Sequence, residues 1–246
     1  MEHIIQDGGS GEDFDAWAVH HPHVSSYQEK DGGMYDAINR GFLKASGDIF
    51  GWLNCDEQYL PGALRKVANF FGSHPETDIL FGDILVVDAS MEPLAYRMAV
   101  PPLAGHIRRC FLPTFSAATF VRRRIIDEGI MLDTSFRAIA DAVWIHQLIR
   151  RGYRTVTLNE PLAVFTQTGE NLGQTTASLR EAAAWREKHR FHVKIAAKFW
   201  STLHQIRKLL AGAYRTRSIP TQIFYSIPPK IKSIVARLGG AWKSQQ

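Results

Sequence analysis

Four groups of side chains in this sequence have types and spacings that could do chemistry. The tract Asn54-Cys55-Asp56-Glu57 follows the apolar run Ile49-Phe50-Gly51-Trp52-Leu53. Adjacent carboxylates at the end of a buried strand suit a hard divalent cation that also holds phosphate oxygens, and a solvated acidic turn is the plainer alternative. Asp141 stands alone among Ala138-Ile139-Ala140 and Ala142-Val143-Trp144 at the start of a helical pattern. It reads either as a helix cap or as a partly buried carboxylate whose raised pKa suits a general base. Gln6-Asp7-Gly8-Gly9-Ser10-Gly11-Glu12 runs from a strand end into a Gly-rich turn. Its backbone N–H groups could face a ligand while Asp7 accepts from a nucleobase or ribose, or it is simply a turn. Asp36 and Asn39, three apart after Gly32-Gly33, share one face of a helix start; Asp36 could equally be a carboxylate favoured there by the helix dipole.

The elements that must position these groups alternate short apolar runs with helical patterns. Strands are expected at Glu2–Gln6, Asp48–Leu53, Thr77–Val87 and Arg154–Leu158, and helices at Met34–Ala45, Pro61–Phe71 and Ala138–Arg151. That alternation is the mark of an α/β sheet. Proline opens the second helix, Leu64, Val67, Ala68 and Phe71 share a face, and Gly72 is expected to stop it. The tract Asp88–Phe115, with four prolines, reads as a partly irregular insertion. From Ala182 the pattern turns basic and helical, with Ile195, Phe199, Leu203, Ile206 and Leu210 on one stripe. A second helical piece, Ile231, Ile234, Val235 and Leu238, follows the breaker Pro228-Pro229.

Composition narrows the class. Of 246 residues 45% are hydrophobic and 22% charged, which excludes disordered and collagen-like chains. Two distant cysteines, Cys55 and Cys110, support neither a disulfide framework nor a structural zinc site, and a reducing, cytoplasmic compartment is expected. The N-terminus has no basic segment followed by an apolar one, and no stretch reaches the roughly 18 apolar residues of a spanning helix. Residues 1–180 hold 16 Lys+Arg against 22 Asp+Glu, whereas residues 181–246 hold 13 against 2. A basic block on an acidic body points to an anionic partner, a membrane surface or nucleic acid, with nucleic acid the less expected because no nucleic-acid module accompanies the charge. The same stripe could instead close over the body with its lysines in water.

Taken in order and spacing, the motifs resemble those of family 2 glycosyltransferases. The resemblance rests on Asp7-Gly-Gly-Ser10, Glu29–Gly41, Ala45-Ser-Gly-Asp48, Gly51-Trp-Leu-Asn-Cys-Asp-Glu57 with Tyr59–Leu64, His74-Pro75, Phe81-Gly-Asp83, Ala118–Arg123, Asp141 and Glu160-Pro-Leu-Ala163. It covers about residues 1–180 as a catalytic domain, leaving 181–246 as a basic amphipathic helical tail. It implies a type A glycosyltransferase fold: a Rossmann-like mixed α/β sheet with flanking helices. The family normally opens with a nucleotide-binding strand and helix before the segment matching Glu2–Ser10. The resemblance therefore implies that the neighbours of that strand lack a partner here.

The resemblance also implies roles. Asp7, Asp36, Asn39 and Asp56 would bind a nucleotide-sugar donor, with a UDP-sugar expected. Asp56 and Glu57 would hold a divalent cation, Mn²⁺ or Mg²⁺. Asp141 would be the base for direct, inverting displacement onto a saccharide or lipid-linked acceptor, in cell-surface polysaccharide or glycolipid synthesis. One base suffices for this, unlike the carboxylate pair of a glycoside hydrolase. The family more often has Ser-Asp-Asp where this chain has Cys55-Asp56-Glu57. The Gln-x-x-Arg-Trp motif of processive synthases is absent, so single addition is expected. The alternative is a non-catalytic relative acting as a membrane-associated interaction module.

Overall fold

The computed structural model describes residues 1–169, 175–187, 193–224 and 231–238. In chain order the elements are β1 (Ile4–Asp7), α1 (Glu12–Val19), β2 (Ser25–Gln28), α2 (Met34–Lys44), β3 (Ile49–Gly51), β4 (Glu57–Tyr59), α3 (Ala63–Ser73), β5 (Ile79–Asp88) and β6 (Pro93–Arg97). There follow α4 (Ala104–Arg109), β7 (Thr119–Arg122), α5 (Arg123–Asp127), α6 (Ala140–Arg150), β8 (Thr155–Gln167), α7 (Thr176–Glu187), α8 (Val193–Leu210), β9 (Arg217–Phe224) and β10 (Ile231–Leu238).

The main sheet runs β3-β7-β5-β8-β4, with β6 pairing β5, and it is mixed: β5 and β8 are parallel, the other pairs antiparallel. Its axis is β5, whose nearly unbroken apolar run is buried on both faces, as a central strand covered by helices requires. The one charge in that run, Asp83, accepts from the Tyr96 hydroxyl and from the Ala99 N–H at 2.7 Å, so a buried carboxylate is kept hydrogen-bonded. β8 extends past the expected Arg154–Leu158 because β5 offers a ladder from Ile79–Thr155 to Asp88–Gln167. Pro161 falls at the irregularity opposite Asp83, where a residue without an N–H is tolerated. β1 and β2 form a separate parallel pair. β1 and β3 are each an end strand of their sheets.

Helices cover both faces. On one side Tyr35 and Phe42 of α2 and Trp144, Ile145 and Leu148 of α6 pack on Phe50, Trp52, Ile79 and Phe81. The rings of Phe42, Trp52 and Trp144 lie about 6 Å apart, within aromatic contact. On the other, Val67 and Phe71 of α3 meet Leu80, Ile84, Phe120 and Leu162. The helix passes through Gly72 and ends at Ser73, one residue beyond the expected stop. Two arginines fasten the ends of these layers. Arg122 donates to the carbonyls of Thr77, Phe71 and His74, completing the C-terminus of α3, and Arg123 donates to those of Gly47 and Ala45.

The tract Asp88–Phe115 is partly irregular, as expected, with β6 pairing β5 and the short α4 as its regular pieces. One expectation is corrected. Ile231–Leu238 is a strand rather than a helix: its apolar residues fit a helical spacing, but β-branched residues favour extended backbone and β9 supplies an antiparallel partner along all eight positions. Pro228-Pro229 lies outside the described residues. The region after 181 also packs on the body. Ile223 of β9 is buried with Leu60, Leu85, Val87 and Val164. Gln58 of β4 donates to the Phe224 carbonyl at 3.1 Å and accepts from its N–H at 2.9 Å.

Candidate active site

Asp141 lies in the first turn of α6, where a carboxylate is favoured by the free N–H groups. Its Oδ1 accepts from the Ala142 N–H at 2.8 Å and from the Tyr35 hydroxyl at 3.2 Å. Burial pushes the Asp141 carboxyl upward, and these two bonds oppose the rise only partly. Tyr35, from the first turn of α2, is itself shifted upward by burial and then by the Asp141 charge, so its phenol stays a donor. A carboxylate with a raised pKa and one oxygen uncommitted by these bonds has the character of a general base.

Glu57 is the second perturbed acid. It opens β4 and is buried, with Oε2 accepting from the Asn54 N–H at 2.8 Å. Its pKa is pushed up to about 7, first by burial and then by the charges of Asp56 and Asp141, against the Asn54 bond. The charge of Asp141, 84 positions away in sequence, thus reaches Glu57. Glu57 Oε1 is buried and accepts no hydrogen bond among the described residues, while Asp56 beside it is exposed. Among the described residues no group of three or more His, Cys, Asp or Glu is gathered to hold a metal.

The Gly-rich segments adjoin this pair. Gly33 has φ 122°, a region side chains disfavour, and an added Cβ would lie 2.8 Å from Arg137 Nη1. Arg137 donates to the Gly32 carbonyl across that gap, tying the loop before α2 to the loop before α6. A Cβ at Gly8 would meet Asp31 at 2.9 Å, so the Asp7 loop packs directly on the Asp31 loop. These contacts link the Asp7 loop, the Asp31–Tyr35 segment and the Arg137–Asp141 turn to one another. A depression of about 340 Å³ lined by Asp78, Arg124, Glu128 and Tyr153 lies at the far end of α6 from Asp141.

The sequence-derived donor residues have internal partners. Asp7 accepts from the Gly9 and Ser10 N–H groups and the Ser10 hydroxyl, and the Ser10 bonds hold its carboxyl below the usual range. Asp36 accepts from the Gly32 N–H at 2.8 Å and pairs with Arg40 at 2.9 Å; the Gly32 bond, then Arg40, lowers its pKa. Asn39 donates to the Leu132 carbonyl at 2.8 Å and accepts from the Leu132 N–H at 3.1 Å, fixing the segment that leads to α6.

Three contributors are not assigned by the sequence patterns: Tyr35, Arg137 and Glu181. Glu181, from α7, accepts from the N–H groups of Arg137, Ala138 and Ile139 at 2.6, 2.8 and 3.1 Å. One carboxylate thus closes the turn that presents Asp141. The available signal is its rarity, one of two acids after residue 180.

The mixed sheet, its covering helices and the acids at the strand ends define the type A glycosyltransferase fold. The family model described as Glycosyl transferase family 2 matches residues 1–125, and the chain belongs to that family. A PGL/p-HBAD biosynthesis glycosyltransferase of Mycobacterium bovis (strain BCG / Pasteur 1173P2) is 33% identical over 92 residues, 35% of this chain and 36% of that protein. An uncharacterized glycosyltransferase of Mycobacterium tuberculosis (strain ATCC 25618 / H37Rv) is 43% identical over 61 residues, 24% and 23% of the two chains. The matched stretches thus span about a third or less of these relatives. S. aureus TarS residues 1–349 in complex with UDP superposes with TM-score 0.56 at 16% identity, over 82% of this chain and 62% of that one.

Proposed function

We propose that this chain transfers a sugar from a nucleotide-diphosphate sugar to a hydroxyl acceptor, with Asp141 as the base. The observation that carries the reading is a half-buried, upward-shifted Asp141 whose charge reaches an upward-shifted Glu57, beside Gly-rich loops in a family 2 fold. Asp141 takes the acceptor's proton as its oxygen attacks the anomeric carbon from the side opposite the departing diphosphate, which inverts the configuration. Tyr35 orients the carboxylate, and Glu181 and Arg137 hold the turn beneath it. A UDP-sugar is the proposed donor, supported by the similarity to S. aureus TarS in complex with UDP and with UDP-GlcNAc. The proposed acceptor is a saccharide or lipid-linked glycan of cell-surface synthesis.

The residues fit a divalent cation. Asp56 is exposed and Glu57 carries a buried oxygen with no donor, and Mg²⁺ or Mn²⁺ bound through one or two carboxylates takes its remaining ligands from phosphate and water. Such a cation, when bound, supplies positive charge to the leaving diphosphate. The test is thermal shift with UDP and Mn²⁺. Stabilisation is expected for the native chain and loss of most of it in Asp56→Ala; an equal shift in both would remove Asp56 from the site.

One observation favours a second reading, a non-catalytic member of the family: Asp7, Asp36 and Asn39 all spend their polar atoms on the protein's own backbone or side chains. That reading predicts no shift with any nucleoside diphosphate.

A further inference from the structure

We propose that the outward face of α8 docks on an anionic bilayer, with the helix lying in the plane of the interface. Two opposite faces of this helix behave differently. The inner face packs on α4: Trp200 lies against Gly105, where any Cβ would collide with its ring, the Cys110 thiol donates to the Ala197 carbonyl at 3.4 Å, and the His204 ring sits 4.4 Å from that of His106. Docking of α8 therefore uses small and aromatic residues and leaves most of the apolar stripe seen in the sequence pointing away, joined by Leu209, while Leu203 is half-buried. Ile195 is 73% exposed, Phe199 60%, Ile206 49%, Leu209 66% and Leu210 82%.

At about 100° per residue these five side chains fall within a sector of roughly 100°. Exposed apolar residues are ordinary when scattered, but five large ones gathered in one sector, interrupted only by Thr202, mark an interaction surface. The charge pattern selects the occupant. α8 carries Lys194, Lys198, Arg207 and Lys208 and no acid, and Lys194 and Lys198, both exposed, border the apolar sector on one side. A convex helix with an apolar stripe and lysines at its margin matches acyl chains flanked by anionic headgroups. Nucleic acid would leave the apolar stripe without a counterpart. Among the described residues no helix is long and apolar enough to cross a membrane, so the contact is peripheral. This inference stands apart from the transfer reading and does not depend on it.

The experiment is co-sedimentation of the full chain with vesicles of phosphatidylcholine alone and of phosphatidylcholine mixed with phosphatidylglycerol. Binding is expected to the mixed vesicles and to fall as salt is raised. Lys194→Gln with Lys198→Gln should weaken it roughly 30-fold, about fivefold for each lysine near an anionic surface. Phe199→Ser with Leu210→Ser should weaken it at least about 10-fold through lost apolar insertion. Both double variants should keep the native melting temperature, since the replaced side chains face outward. Absence of binding to either vesicle, or binding that neither double variant weakens, overturns the proposal. So does a chain that ignores vesicles but forms a dimer that Phe199→Ser with Leu210→Ser dissociates, which would assign the stripe to a second copy.

Discussion

Replacing Glu181 by alanine removes the carboxylate that accepts three consecutive N–H groups, those of Arg137, Ala138 and Ile139. Hydrogen bonds to a charged group contribute about 1.5–3 kcal/mol each when well buried. Here the site is half open to water, and water can replace part of the lost acceptance at Arg137. The expected net loss is about 2–3 kcal/mol, or roughly 4–12 °C in melting temperature for a domain of this size. The effect on catalysis should exceed what stability alone explains. Asp141 stands two residues beyond the last of the three bonds, and a displacement of about 1 Å can cost on the order of 100-fold in rate. Thermal unfolding and donor turnover measured on the same preparation test this. The expected result for Glu181→Ala is lower kcat with donor KM nearly unchanged, and for Glu181→Gln, which keeps one acceptor oxygen, a partial recovery of both stability and rate. A Glu181→Ala protein with native melting temperature and native kcat would refute the assignment of Glu181 as a positioning residue.

Tyr35→Phe deletes the hydroxyl bonded to Asp141 and with it a bond that opposes the upward shift. The acidic limb of the pH–rate profile should move to higher pH and the rate at neutral pH should fall roughly 10-fold; an unmoved limb would separate Tyr35 from the base. His204 is pushed down to about 4, by burial first and then by His106, Lys208 and Arg207. A folded pKa below the unfolded one leaves its contribution complete above about pH 6.5 and lost as pH falls toward 4, so stability should drop by about 2 kcal/mol between pH 7.5 and pH 5. Urea midpoints at the two pH values check this, and His204→Gln should flatten the difference. Gly105→Ala forces a methyl group into the Trp200 ring, which should cost about 1–3 kcal/mol and alter tryptophan emission as α8 shifts on α4.

The sequence carries the parts of this fold whose signal is local. α3 and α6 declare themselves through apolar spacing, and β5 through an unbroken apolar run. What it hides depends on contacts distant in the chain. Ile231, Ile234, Val235 and Leu238 satisfy a helical spacing, and only the β9 ladder makes them a strand. The stripe of α8 was legible as apolar, but its direction was not: Trp200, His204 and Ala197 take the inner face because Gly105 leaves room for an indole. In the candidate site Asp141 and Glu57 were visible as acids at element ends, and the reach of the Asp141 charge to Glu57 was not, because it arises across 84 positions. Glu181 was invisible in that role for the same reason, since nothing near it in sequence marks the turn at 137–139 that it closes.

The most direct test of the account is donor turnover by the native chain and by Asp141→Asn, with a UDP-sugar and Mn²⁺, alongside UDP binding by both. The account predicts that Asp141→Asn abolishes turnover, binds UDP with near-native affinity and keeps its melting temperature. Equal turnover by the two proteins would contradict the assignment of Asp141 as the base, and a native chain that neither binds UDP nor turns over a donor would contradict the transferase reading itself.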